Sequence, residues 1–248
     1  MFMTLQEIQE SREQYLQQVG RKEAALRAVL FDMDGVLFDS MPNHAYAWSH
    51  AMTQFGLEMT PLEAYMNEGR TGSGTINELA QRYWHRDATE KECQEIYRAK
   101  SDIFNQCPEA LPMIGAAELL NKVRACEVPR VIVTGSGQVT LLDRLNRAYP
   151  GIFSQELMVT AFDVKFGKPH PEPYLMGLQK AGIQPWQGIV VENAPLGVQA
   201  AHAAGIFTIA VNTGPLDPQV LADAGANIVL PSMQALADCW EMVYEVFR

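Results

Sequence analysis

Five short apolar runs, Ala28–Phe31, Arg130–Val133, Ile189–Val191, Ile206–Val211 and Ile228–Leu230, limit what this chain can fold into. Each reads as a buried strand bounded by polar or glycine-rich residues. Stretches with apolar residues at helical spacing separate the later ones: Ala116–Ala125, Val139–Ala148, Pro173–Ala181, Leu196–Ala204 and Gln219–Ala224. Strands that alternate with helices in this way form right-handed βαβ units, so the expected fold is α/β, a Rossmann-like doubly wound parallel sheet covered by helices.

One segment breaks the rhythm. From about Met41 to Leu111 the pattern is helical, with stops at Gly56, Pro61, Gly69–Gly74 and Pro108, and no apolar run reads as a buried strand. The expected organisation is a core built from residues 1–41 and 111–248, with an inserted helical domain at 42–110. Residues 1–26 add an extra N-terminal helix, amphipathic through Leu5, Ile8, Tyr15, Leu16 and Val19.

Composition narrows the function classes. With 248 residues, 48% hydrophobic and 19% charged, the chain is long and apolar enough to bury a core. No apolar stretch approaches the roughly 20 residues of a membrane helix, and the polar N-terminus lacks the apolar run of a secretory signal. A soluble, cytoplasmic protein without a membrane partner is expected. The net charge of −10 argues against a broad nucleic-acid surface, though one site can be locally positive in an acidic protein. The four cysteines show no Cys-x-x-Cys spacing, so no zinc site is expected. The oligomeric state is left open, and a monomer is compatible with everything read here.

In an open parallel sheet, ligands sit beyond the carboxyl ends of the strands. The residues that follow the apolar runs are therefore the candidates: Asp32 and Asp34, then Thr134, Gly135 and Ser136, then Glu192 and Asn193. Lys168 lies in the loop Phe166–Pro169. Together these are the parts of a phosphoryl-transfer site. A carboxylate nucleophile attacking a phosphate dianion meets like charges, each pair costing roughly 4 kcal/mol at 4 Å and an effective dielectric of about 20. A lysine and an oxygen-ligated cation such as Mg²⁺ supply the counter-charge. Asp34, two residues beyond Asp32, suits proton transfer to and from the leaving oxygen, and Thr134 with the Gly135 amide suits the phosphoryl oxygens.

Each part alone has a plainer reading. Asp-x-Asp-Gly suits turns and calcium loops, although Val36, Phe38 and Ser40 break the EF-hand rhythm after Asp34. A lone Lys168 would be a solvated loop lysine, and Glu192-Asn193 would cap the helix beginning near Pro195. The joint placement at successive strand ends favours the catalytic reading. Gly72-Ser73-Gly74 and Gly135-Ser136-Gly137 fit neither a dinucleotide fingerprint nor a P-loop.

The segments FDMDGVLFDS, VIVTGSG, GKPHPEPY and VVENAPLGVQAAHAAG, in that order, resemble the haloacid dehalogenase superfamily and its β-phosphoglucomutase-like branch of phosphatases and mutases. The resemblance covers almost all of the chain after residue 27. It implies Asp32 as nucleophile, Asp34 as acid/base, Thr134 as phosphate-binding hydroxyl and Lys168 as charge stabiliser. It also implies a Mg²⁺ bound by Asp32, the Asp34 carbonyl, and Glu192 or Asn193, and a small phosphorylated metabolite as substrate. The helical insert matches the family's mobile cap, which places His44 beside the acid/base and Trp48 and Lys100 at the substrate.

Three departures bear on the substrate. Gly72 stands where a mutase carries a cap arginine, with Arg70 close enough to substitute. Gly137 stands in place of a lysine, and Asn193 replaces an aspartate. The expectation is hydrolysis of a small sugar or polyol phosphate; the alternative is β-phosphoglucomutase, converting β-glucose 1-phosphate to glucose 6-phosphate.

Overall fold

The computed structural model describes residues 3–136 and 141–248. Six parallel strands form one sheet: β1 (Ala28–Phe31), β2 (Arg130–Val133), β3 (Met158–Val159), β4 (Gly188–Glu192), β5 (Phe207–Val211) and β6 (Ile228–Leu230). Their order is β3-β2-β1-β4-β5-β6, so the winding direction reverses between β1 and β4. The five expected runs are all strands. The sixth, β3, has two residues, too few to show a period of its own.

Strand side chains alternate between the faces of a sheet, and here both faces are covered. Val29, Phe31, Ile132, Ile189, Val191, Phe207 and Ile209 pack in one cluster with α6 (Ala116–Ala125), α7 (Leu141–Ala148) and α11 (Met233–Phe247). Ala28, Leu30, Val131, Val133 and Val190 pack in the other, with α8 (Glu172–Ala181) and α9 (Pro195–Ala203). With no solvent face, the strands read as unbroken apolar runs, which is what makes them visible in the sequence.

The N-terminal helix α1 (Leu5–Gln18) starts with a capping box between Thr4 and Glu7. It buries Ile8, Tyr15 and Leu16 in the first cluster, where Tyr15 meets Phe207 edge-on at 5.4 Å and donates its hydroxyl to the Gly205 carbonyl at 2.8 Å. Its role is to extend the core over β5 and α11.

Between β1 and α6 the chain forms α2 (Met41–Gln54), α3 (Pro61–Met66), α4 (Gly72–Trp84) and α5 (Glu90–Phe104). These helices bury their own cluster, including Met52, Leu57, Ile76, Leu79 and Ile96. The two connections to the sheet lie side by side: Asp39 N–H donates to the Leu111 carbonyl at 2.9 Å, and Met113 N–H to the Leu37 carbonyl at 2.8 Å. Among the described residues, no helix is long and apolar enough to cross a membrane.

Candidate active site

The reversal between β1 and β4 opens a crevice at the strands' carboxyl ends. Asp32 follows β1 directly, Thr134 follows β2, Glu192 ends β4 and Asn193 follows it. Lys168 reaches in from the loop between β3 and α8. Its Nζ lies 2.5 Å from Asp32 Oδ1 and 2.5 Å from Glu192 Oε1, and all three side chains are buried. Burial alone would lower the Lys168 pKa; the two carboxylates outweigh it and push it up. The ammonium is therefore firmly charged.

Glu192 is saturated by donors. Its Oε1 accepts from Lys168 and from the Tyr174 hydroxyl at 2.8 Å, and its Oε2 accepts from the amides of Asn193 at 2.9 Å and Ala194 at 3.1 Å. A carboxylate with both oxygens so engaged fixes the lysine rather than offering itself as a metal ligand. Of the pair Glu192 and Asn193 expected at the metal, the geometry therefore leaves Asn193.

Asp34 lies two residues beyond Asp32. Gly35 turns the chain with φ of +82°, and its missing side chain leaves room for the Asn193 amide, which a β-carbon would strike. Ser40 Oγ donates to Asp34 Oδ1 at 2.6 Å, and His44 Nε2 lies 3.5 Å from the same oxygen. Burial would raise the Asp34 pKa, but His44, Ser40 and Arg144 together hold it well below the usual carboxylate range. Lys100 Nζ sits 3.0 Å from His44 Nδ1. An ammonium can only donate, so Nδ1 accepts and the imidazole proton is on Nε2, facing Asp34. Burial and Lys100 both lower the His44 pKa, which agrees with a neutral ring.

The helical insert closes the other side of the cleft. His44, Trp48, Arg70 and Lys100 all line it, opposite Thr134, Gly135 and Ser136. The Thr134 hydroxyl accepts from the Ser136 amide at 3.1 Å, which curls this loop at the strand end. Arg70, however, is committed elsewhere: Nη2 pairs with Glu78 at 3.0 Å and Nε donates to Asn67 at 2.9 Å. Gly137, the other position read against a mutase, lies outside the described residues.

Sequence reasoning missed Glu68. This insert residue accepts from Asn193 Nδ2 at 2.9 Å, which brings a fourth carboxylate to Asp32, Asp34 and Glu192. Burial, then Asp32, Glu192 and Asp34, raise its pKa well above the usual value. Asp32 is likewise pushed up to about 7, by burial first and with Glu192 and Asp34 adding to it against the pull of Lys168. Four carboxylates around one ammonium leave an excess of negative charge, and two buried oxygens, Glu68 Oε1 and Asn193 Oδ1, have no hydrogen-bond partner among the described residues. Orphaned oxygens in a negative field are what a hard divalent cation satisfies. Among the described residues no three His, Cys, Asp or Glu side chains form a closed cage. Carboxylate and amide oxygens together fit an ion such as Mg²⁺, which keeps several waters. The only sequence signal for Glu68 is its place one residue before the Gly69–Gly74 loop.

Comparison with known proteins identifies the family. The chain superimposes on a Bacteroides vulgatus protein, described provisionally as a beta-phosphoglucomutase, with a TM-score of 0.96, 53% identity, and coverage of 99% of this chain and 100% of that one. It is 33% identical to hexitol phosphatase A of Escherichia coli over 85% of this chain and 93% of the relative. It is 30% identical to the validoxylamine A 7'-phosphate phosphatase of Streptomyces hygroscopicus subsp. limoneus, over 80% and 91%. The profile of the haloacid dehalogenase-like hydrolases matches residues 29–211, and the chain belongs to that family.

Proposed function

We propose that the protein is a Mg²⁺-dependent phosphatase of small sugar or polyol phosphates that works through a phosphate ester on Asp32. An Asp32 oxygen attacks phosphorus as the bond to the leaving oxygen breaks, and Asp34, whose proton affinity the incoming phosphate dianion raises, delivers a proton to that oxygen. Water then attacks the aspartyl phosphate, Asp34 takes its proton, and inorganic phosphate leaves with Asp32 regenerated. Lys168, held by Glu192, which the Tyr174 hydroxyl in turn anchors, balances the charge at the nucleophile. Thr134 and the Gly135 amide hold the phosphoryl oxygens, with Ser136 completing the loop. His44 orients Asp34, and Trp48 and Lys100 face the leaving group. Asp32, the Asp34 carbonyl, Asn193 and Glu68 would hold the metal, which supplies Lewis-acid charge at the phosphoryl group. The insert, residues 42–110, would act as a cap that excludes bulk water over the bound ester.

The observation that carries hydrolysis over the mutase is the cap wall. A mutase must hold a second phosphate, yet Arg70 is tied to Glu78 and the ring of Tyr97 fills the space at Gly72. Among the described residues, the remaining cap cation on the cleft is Lys100, which sits against His44 rather than on the wall by Gly72. Two relatives are named as phosphatases, of a hexitol phosphate and of validoxylamine A 7'-phosphate. The β-phosphoglucomutase alternative rests on the His44–Lys100 pair and on the Bacteroides vulgatus protein.

The deciding assay supplies Mg²⁺, β-glucose 1-phosphate and a trace of the 1,6-bisphosphate, and follows inorganic phosphate and glucose 6-phosphate separately. A panel of hexitol and hexose phosphates is run beside it. Phosphate release, abolished in Asp32→Asn, is the expected result. Glucose 6-phosphate without phosphate release would establish the mutase, and turnover that survives Asp32→Asn would remove the covalent mechanism.

A further inference from the structure

Tyr97 lies on α5 one turn before Lys100, and its ring stands half-exposed, at 46%, on the wall of the cleft. It tilts against Trp48 with ring centroids 6.2 Å apart. Its other edge rests on Gly72: a β-carbon there would lie 2.5 Å from Tyr97 Cδ2 and 2.6 Å from Cε2. Gly72 is the first residue of α4, follows the cap residue Thr71 and has no positive φ. Local helix chemistry therefore favours alanine at this position. What demands glycine is the ring.

We propose that Tyr97, seated on the bare backbone of Gly72, is the residue that fixes how large a leaving group the cleft accepts. The inference rests on the phosphatase reading above and deepens it. Two contacts hold the ring's position: Gly72 lets it sit back against α4, and Trp48 stops it swinging sideways. A ring held there takes up volume that a longer or branched alcohol would otherwise use, while Asp32 and Thr134, at the strand ends, line the sheet side of the same cleft. A side chain at Gly72 would drive the ring toward the substrate and narrow the cleft further.

The test compares a bulky ester, p-nitrophenyl phosphate, with a small one, ethyl phosphate, in the wild type, Tyr97→Ala, Tyr97→Leu, Gly72→Ala and the double variant Gly72→Ala/Tyr97→Ala. The readout is the ratio of kcat/KM for the two esters, with thermal unfolding recorded for each protein. Tyr97→Ala raises the ratio about 10-fold, mostly through KM, as expected for relief of a steric limit in a pocket, and Tyr97→Leu raises it by less. Gly72→Ala lowers the ratio and the unfolding temperature. Both effects vanish in the Tyr97→Ala background, because the methyl group then has no ring to displace. A ratio within about twofold of wild type in the Tyr97 variants, or a Gly72→Ala effect of equal size with and without the ring, overturns the inference. Asp32→Asn in the same assay separates the two levels: its loss of turnover with an unchanged ratio elsewhere sinks the Tyr97 inference alone, whereas retained turnover sinks the phosphatase reading beneath it.

Discussion

Asn193 Nδ2 lies 2.9 Å from Glu68 Oε2, so the residue just after β4 and the loop that leads into α4 share a hydrogen bond across the cleft. The bond joins the sheet domain to the helical insert at the same place where Asn193 Oδ1 and Glu68 Oε1 are left unsatisfied. An amide can make this contact without metal because it donates. An ionised aspartate could not.

Asn193→Asp therefore does two things at once. It removes the donor and sets two carboxylates side by side, an arrangement that costs up to about 4 kcal/mol at 4 Å for an effective dielectric near 20. In chelator the variant should unfold several degrees below wild type, since about 1 kcal/mol corresponds to roughly 2–4 °C at this chain length. Added Mg²⁺ should recover that loss and give a larger gain in unfolding temperature than it gives the wild type. Thermal unfolding at a series of Mg²⁺ concentrations checks this. Equal gains in the two proteins would mean that neither Asn193 nor Glu68 touches the ion.

Glu192 separates positioning from ligation. Its oxygens take four donors, from Lys168, Tyr174 and two amides. In Glu192→Gln one of those donors meets an NH₂ group instead of an oxygen, and Lys168 loses half of its charge partnership. A displacement of about 1 Å at such a group lowers kcat on the order of 100-fold. The Mg²⁺ concentration for half-maximal activation should stay where it is in the wild type. A shift of that midpoint by about tenfold or more, the usual consequence of disturbing a metal's ligand shell, would return Glu192 to the ligand set.

These two residues show how far the sequence was legible. The sheet was readable because both faces of every central strand are buried, so Ala28–Phe31 and Gly188–Glu192 appear as apolar runs with their functional residues directly behind them. Asp32, Thr134 and Asn193 could be collected from strand ends alone, whereas Lys168 had to be picked from the loop Phe166–Pro169, well past a strand too short to read. Whether Glu192 or Asn193 faces the metal could not, because the choice depends on Tyr174, eighteen residues upstream and on a different element. Glu68 was equally hidden. Its place just before the Gly69–Gly74 loop gives it no role, and its significance arises only when the insert folds back over Asn193. The seat that Gly72 gives Tyr97 likewise exists only once α4 and α5 are packed.

Lys100 gives a prediction in pH. It is 7% exposed, its Nζ lies 4.7 Å from the centroid of Phe104 and 5.5 Å from that of Trp48, and burial lowers its pKa to about 8 from 10.5. Below pH 8 the lysine is charged in both the folded and unfolded states, and the folded state bears the full cost of a buried ammonium. Between about pH 8 and 10.5 the folded protein has released that proton while the unfolded chain still holds it. The unfolded state then binds more protons, so stability rises with pH across this window. At one pKa unit per 1.36 kcal/mol the total change is on the order of 3 kcal/mol. Lys100→Met removes the titrating group and keeps the apolar stem. Its stability advantage over wild type should be greatest at or below pH 7 and should shrink steadily as the pH is raised to 10, measured by denaturant unfolding of both proteins at each pH. A constant difference, or one that grows with pH, would mean that Lys100 is not held as a strained cation beside His44.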